Sequence, residues 1–109
     1  MKTHSKKLYL GFLQMHILHH ASQEPIYGAW MIEELNHHGY QIGPSHIYPL
    51  LSTMTQDGLL SMNEQLIQGK IRKYYQTTEL GIEVLRDLIE KLKELASEIL
   101  VVAEESLGD

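Results

Sequence analysis

The chain has 109 residues, 43% of them hydrophobic and 21% charged, with a formal net charge of -5 and no cysteine. That length supports one hydrophobic core, and the missing thiols exclude a disulfide framework, a thiolate metal site and a cysteine nucleophile, a composition compatible with a reducing cytoplasm. The charge is uneven: residues 1–80 hold six Lys/Arg against six acids and residues 81–109 three against eight, so the near-neutral half with its basic spots would turn toward a polyanion, although a long solvated helix is also often acidic.

Lys2, Lys6 and Lys7 precede an apolar stretch from Leu8 to Leu18, which superficially imitates a secretory signal. His16, His19 and His20 stand where a small-residue cleavage site would be, and the stretch is far short of the roughly 20 apolar residues that span a bilayer. A soluble, cytoplasmic protein with no membrane partner is expected. From residue 5 to about residue 20 the apolar positions cover most of a helical surface, which predicts a central core helix packed on two sides. A second helix is expected from about residue 26 to 38, with Pro25 near its first turn, Gly39 just past its end, and Trp30, Met31 and Leu35 buried.

The turn Gly39-Tyr40-Gln41-Ile42-Gly43-Pro44 leads into a third helix. Ile47, Leu50, Leu51 and Met54 recur there at helical spacing, leaving His46, Pro49, Thr53 and Gln56 outward, which is a helix-turn-helix pattern. Ser45 is the expected cap, and the free amides at that end would attract a phosphate. Tyr48 lies one turn in, and Pro49 removes one amide donor, at little cost in a first turn and with a kink if the helix starts earlier. Asp57-Gly58 ends the helix, and residues 59–66 and 70–77 read as a hairpin with Gln68-Gly69 at its tip. Lys70, Arg72 and Lys73 beside Tyr74 and Tyr75 form a basic, aromatic segment on an acidic chain, suited to holding a phosphate backbone. Strand alternation sends only one of the two rings outward.

The last element has the clearest periodicity. From a Thr78 cap, with Glu79 in the first turn, Leu85, Leu88, Leu92, Leu95, Ile99 and Val102 follow steps of three and four, and Ile89, Ala96 and Ala103 widen the seam. At about 1.5 Å per residue a helix from residue 79 to 107 would run roughly 40 Å, longer than a small domain covers. Folding back along the first helix of the same chain would bury part of the seam but not all of it, so its far end is expected to need a second copy, and the chain to form a homodimer.

Leu10-Gly11-Phe12-Leu13, Ile26-Tyr27-Gly28, Ile47-Tyr48-Pro49-Leu50-Leu51, Asp57-Gly58-Leu59-Leu60 and the run from Arg72 to Gly81 together resemble the PadR family of transcriptional regulators over about residues 8–100. The resemblance implies a mainly α fold with a small β-hairpin: a winged helix-turn-helix domain over residues 1–78 and a C-terminal dimerisation helix over 79–109. It implies a repressor whose Ser45, His46 and Tyr48 touch double-stranded DNA from the recognition helix, and whose Lys70, Arg72 and Lys73 do so from the wing. Thr53 on the same outer face and Tyr74 as the outward ring complete the candidate DNA-binding set. Leu85, Leu88, Ile89, Leu92, Leu95, Ile99 and Val102 are the candidate dimerisation residues. Relatives that respond to phenolic acids or planar drugs make a small-molecule effector a candidate partner, with Trp30 either core packing or the wall of its pocket.

The chain has seven histidines, and His16 and His20 are spaced i, i+4 on one helix face, an arrangement that can share a Zn, Ni or Cu ion and recruit His37, His38 or Glu24 across the fold. Ordinary partly exposed histidines are the expectation, with no cofactor and no metal. No glycine-rich phosphate loop or nucleophile elbow is present, so an enzyme is not expected. Two alternatives stand beside DNA binding: a winged-helix module that binds a protein, and a regulator that responds to metal through its histidines.

Overall fold

The computed structural model describes residues 3–106, with side-chain environments from residue 6 onward. The elements are α1 (Thr3–Gln23), α2 (Gly28–His37), α3 (Pro44–Gln56), β1 (Leu60–Ile67), β2 (Lys70–Thr77) and α4 (Glu79–Ser106). Leu13, Ile17, Leu18 and Ala21 on α1, Met31 and Leu35 on α2, and Ile47, Leu51 and Met54 on α3 close a single core, which Leu60, Tyr75 and Leu85 complete. The first half of α1 departs from the expected two-sided packing. Leu8, Tyr9, Leu10 and Phe12 are all exposed, because α4 covers one flank of α1 only.

α2 starts two residues later than expected. Ile26 exchanges two backbone hydrogen bonds with Tyr75, its N–H donating to Tyr75 O at 2.9 Å and its carbonyl accepting from Tyr75 N at 2.7 Å. That bridge holds a β-branched residue extended at the sheet edge, so the helix begins only after Tyr27. α2 ends at Gly39 as expected, whose φ of +89° is the left-handed stop that glycine takes without steric cost. Asn36 then clamps the turn, its Oδ1 accepting from Ile42 N at 3.2 Å and its Nδ2 donating to Ile42 O at 3.4 Å.

α3 is capped differently from the expectation. Gly43 is the extended cap and Pro44 the first helical residue, because proline's fixed φ suits that position and its missing N–H costs nothing there. Ser45 therefore sits inside the first turn, and Pro49 lies inside the helix, where the Ser45 carbonyl loses its usual i+4 donor.

The two strands pair in antiparallel register from Leu60 opposite Thr77 to Ile67 opposite Lys70. Gln68 and Gly69 both have positive φ, 50° and 81°, the two-residue turn whose twist matches that of the flanking strands.

Thr78 caps α4 as expected. Its Oγ1 accepts from Gly81 N at 3.1 Å and donates to Gly58 O at 2.6 Å, tying the start of α4 to the end of α3. Gly81 is buried against the Leu59 carbonyl, and no Cβ fits there. Leu85 is in the chain's own core and Leu88 packs on it, so α1 of the same chain buries this first part of the seam. Beyond them Ile89, Leu92, Leu95, Ile99 and Val102 are exposed. Leu107, the expected last residue of the helix, and Lys2 of the N-terminal lysine cluster lie outside the described residues. Among the described residues, no helix is long and apolar enough to cross a membrane.

Candidate nucleic-acid interface

The start of α2, the outer face of α3 and the hairpin enclose a groove of about 610 Å³. Tyr27, Gly28 and Ala29 line it from α2, Tyr48 from α3, and Lys70, Arg72 and Lys73 from β2. The fold thus brings the expected helix and wing residues Tyr48, Lys70, Arg72 and Lys73 to one place. The first amides of a helix lack intrahelical partners and carry partial positive charge, so the N-terminus of α2 adds donors to the same groove.

The strand pleat divides the basic residues between two faces. Arg72 and Tyr74 are on one face, where the Arg72 guanidinium carbon lies 4.1 Å from the Tyr27 ring centroid and the Tyr27 and Tyr74 rings meet edge to face at 5.6 Å. A guanidinium held over a ring keeps its charge while losing freedom, which readies it for a phosphate. Lys73 and Tyr75 are on the other face, toward α3. Tyr75 is buried, and that burial pushes its hydroxyl above the ordinary tyrosine range, with Tyr48 nearby adding to the shift. Of the adjacent tyrosines, the inward one is Tyr75 and the outward one Tyr74. Lys73 stands across the ladder from Glu64, which offsets part of its charge.

The remaining α3 candidates divide. His46 is exposed but stands away from the hairpin, lining a small hollow with Lys6 and Lys7 of α1. Ser45 Oγ is 3.4 Å from His46 Nδ1, and the Thr53 hydroxyl donates to the Pro49 carbonyl at 3.0 Å, so Thr53 is exposed with its proton already engaged. Sequence reasoning did not single out Tyr27, Gly28, Lys6 or Lys7 as interface residues. For the first two the signal was the Tyr-Gly pair ahead of a helix. For the lysines no signal exists, since only the crossing of α1 and α3 puts them beside His46.

Trp30 stands apart from the groove, half-buried against the core with its ring edge-on to His20 at 5.4 Å. His16, His20 and His38 come together on that side, so of the candidates for joining the α1 pair across the fold it is His38 that does so.

The profile described as the transcriptional regulator PadR-like family matches residues 17–87. Transcriptional regulator Rv3488 of Mycobacterium tuberculosis is 39% identical over 88 residues, which are 81% of this chain and 82% of that protein. Among solved structures, a PadR family transcriptional regulator from Eggerthella lenta is 31% identical with a TM-score of 0.79, over 94% of this chain and 90% of that one. A PadR-like transcription factor from Bacteroides fragilis is 28% identical with a TM-score of 0.78, over 93% of this chain and 99% of that one.

Proposed function

Since the chain belongs to the PadR-like family of transcriptional regulators, we propose that it represses transcription by binding a two-fold DNA operator as a homodimer. The observation that carries this reading is the groove in which Tyr48 of α3 and Lys70, Arg72 and Lys73 of β2 face a common space. α3 enters a major groove with Tyr48 toward the bases, and the hairpin tracks the adjoining phosphates. Ser45, His46 and Thr53 extend the contact along α3, and Lys6 and Lys7 add charge beside His46 at its start. A regulator of this kind acts in the cytoplasm, where it meets the chromosome.

Dimerisation rests on α4. Its exposed Leu92, Leu95, Ile99 and Val102 continue an apolar groove between α1 and α4 that Leu8, Phe12, Met15 and Leu88 line. A soluble monomer rarely exposes so continuous an apolar face, and the same helix from a second copy fills it with the same residues. Two hairpins and two α3 helices then face DNA half-sites about one or two helical turns apart.

The test is fluorescence-anisotropy titration of the chain against tiled duplexes from the DNA upstream of its own gene, at two salt concentrations and with excess nonspecific competitor. Saturable binding to one tile is expected, weakening by roughly 10³–10⁵ between about 50 and 200 mM salt if six to ten phosphates are neutralised. The triple reversal Lys70→Glu, Arg72→Glu, Lys73→Glu abolishes this binding and leaves the dimer intact. Salt-independent binding, or none at low salt, would reject the reading in favour of a protein partner. A reporter fused to the bound tile separates repression from activation.

A further inference from the structure

Where the C-terminal half of α1 meets the last turn of α2, His16, His20 and His38 each bring a ring nitrogen within 4.8 Å of the others. Two i, i+4 pairs on facing helices build the cluster. His16 and His20 are one turn apart on α1, their rings nearly parallel with centroids 6.0 Å apart, while Glu34 and His38 are one turn apart at the end of α2. Glu34 Oε1 lies 3.0 Å from His38 Nε2 and 3.9 Å from His20 Nε2, so a carboxylate already reaches the edge of the three rings. We propose that His16, His20, His38 and Glu34 form a binding site for one divalent first-row transition-metal ion, of which zinc is the best fit.

The donor set selects the cation. Three imidazole nitrogens and one carboxylate oxygen suit a borderline ion such as Zn²⁺, Co²⁺ or Ni²⁺, whereas Mg²⁺ and Ca²⁺ take oxygen ligands. Tetrahedral zinc with bonds of about 2.0–2.1 Å needs donor atoms roughly 3.3 Å apart. The present spacing has to close by up to about 1.5 Å, and the His38 side chain, 47% exposed, has open space on its solvent side in which to turn.

Both α1 histidines of the site are held toward the neutral form. Burial, followed by the proximity of His38, His20 and His19, holds His16 below the usual imidazole range, and burial together with His19 does the same for His20. Neutral imidazole is the ligating form. The flanks fix the rings: His16 meets Tyr40 edge to face at 5.5 Å and His20 meets Trp30 at 5.4 Å. Packing alone accounts for those aromatic contacts, but packing needs no nitrogen at three adjoining ring positions and no carboxylate aimed at two of them. An ion here ties α1 to the end of α2, just ahead of the Asn36–Ile42 clamp that leads into α3. The site is a property of the chain alone and does not depend on DNA binding.

The test uses the untagged 109-residue chain in the absence of DNA. Titration with Zn²⁺ against a chromophoric chelator is expected to show one ion per chain at micromolar affinity or tighter, and Co²⁺ to give the intense visible bands of a four-coordinate site. His38→Gln and Glu34→Gln, both at partly exposed positions and checked for fold by circular dichroism, should each weaken binding by about ten- to a hundred-fold or more. His37→Ala and His46→Ala should leave it unchanged. Absence of saturable Zn²⁺ binding would overturn the proposal. So would affinity that survives His38→Gln and Glu34→Gln or falls in the His37 and His46 variants, since the ion would then be held by other surface histidines.

Discussion

The ring of Tyr48 rests on the bare α-carbon of Gly28: a Cβ at Gly28 would overlap the ring edge, with Tyr48 Cζ only 2.7 Å away. The first residue of α2 thereby sets where the aromatic side chain of α3 lies in the basic groove. Gly28→Ala is expected to push the ring aside, because Tyr48 is 46% exposed and can yield. The stability loss should stay near 1 kcal/mol, while operator affinity drops about ten-fold through the displaced ring. Thermal melting and anisotropy on the same sample check both parts, and an unchanged affinity would remove Tyr48 from the interface.

Gly81→Ala should behave in the opposite way. Its Cβ would run into the backbone carbonyl of Leu59, which is held by the hydrogen bond it accepts from Thr78 N at 3.1 Å and cannot swing clear. A loss of about 1–3 kcal/mol is expected, lowering Tm by roughly 4–8 °C per kcal/mol. Differential scanning calorimetry reads this directly.

Arg72→Lys keeps the charge and loses the planar group over Tyr27. The salt dependence of DNA binding should keep its slope, because the count of neutralised phosphates is the same, and affinity should fall several-fold. Arg72→Gln, by contrast, should lower the slope by about two in a log–log plot, one for each protomer of the dimer.

Two leucines on α4 separate folding from assembly. Leu85→Ala removes a core side chain and is expected to cost about 2–5 kcal/mol with the oligomeric state unchanged at low temperature. Leu95→Glu lies on the exposed stretch and should dissociate the dimer while the monomer keeps its helical circular dichroism. Sedimentation velocity distinguishes them, and a Leu95→Glu variant of unaltered mass would rule this face out as the dimer seam.

Asn36→Ala removes both hydrogen bonds that the side chain makes to Ile42. About 1–2 kcal/mol of stability should be lost. The larger effect is expected on α3, whose approach the clamp sets, so hydrogen exchange should rise across residues 40–45 before it rises elsewhere.

Local patterns were enough for the element order. Apolar spacing located α1, α3 and α4, glycine located the ends at Gly39 and Gly58, and the Gln68-Gly69 turn with its basic flanks located the hairpin, because each of these depends on neighbours within one or two turns of chain. The Thr78 cap was legible for the same reason. One error was at a position governed by a distant partner: Ile26 reads as helix until Tyr75 offers it two backbone hydrogen bonds. The other was local, since Pro44, the neighbour of Ser45, takes the first helical position and moves the cap to Gly43.

The candidate site divides along the same line. Residue type and strand alternation were sufficient for Lys70, Arg72, Lys73 and the inward–outward division of Tyr75 and Tyr74, since a basic, aromatic strand carries its chemistry in its own sequence. That Arg72 stacks on Tyr27, that Gly28 makes room for Tyr48, that Lys6 and Lys7 reach His46, and that His38 and Glu34 join the α1 histidines were decided only by tertiary structure. Each joins residues of different elements, and a linear periodicity holds no information about the angle at which two helices cross.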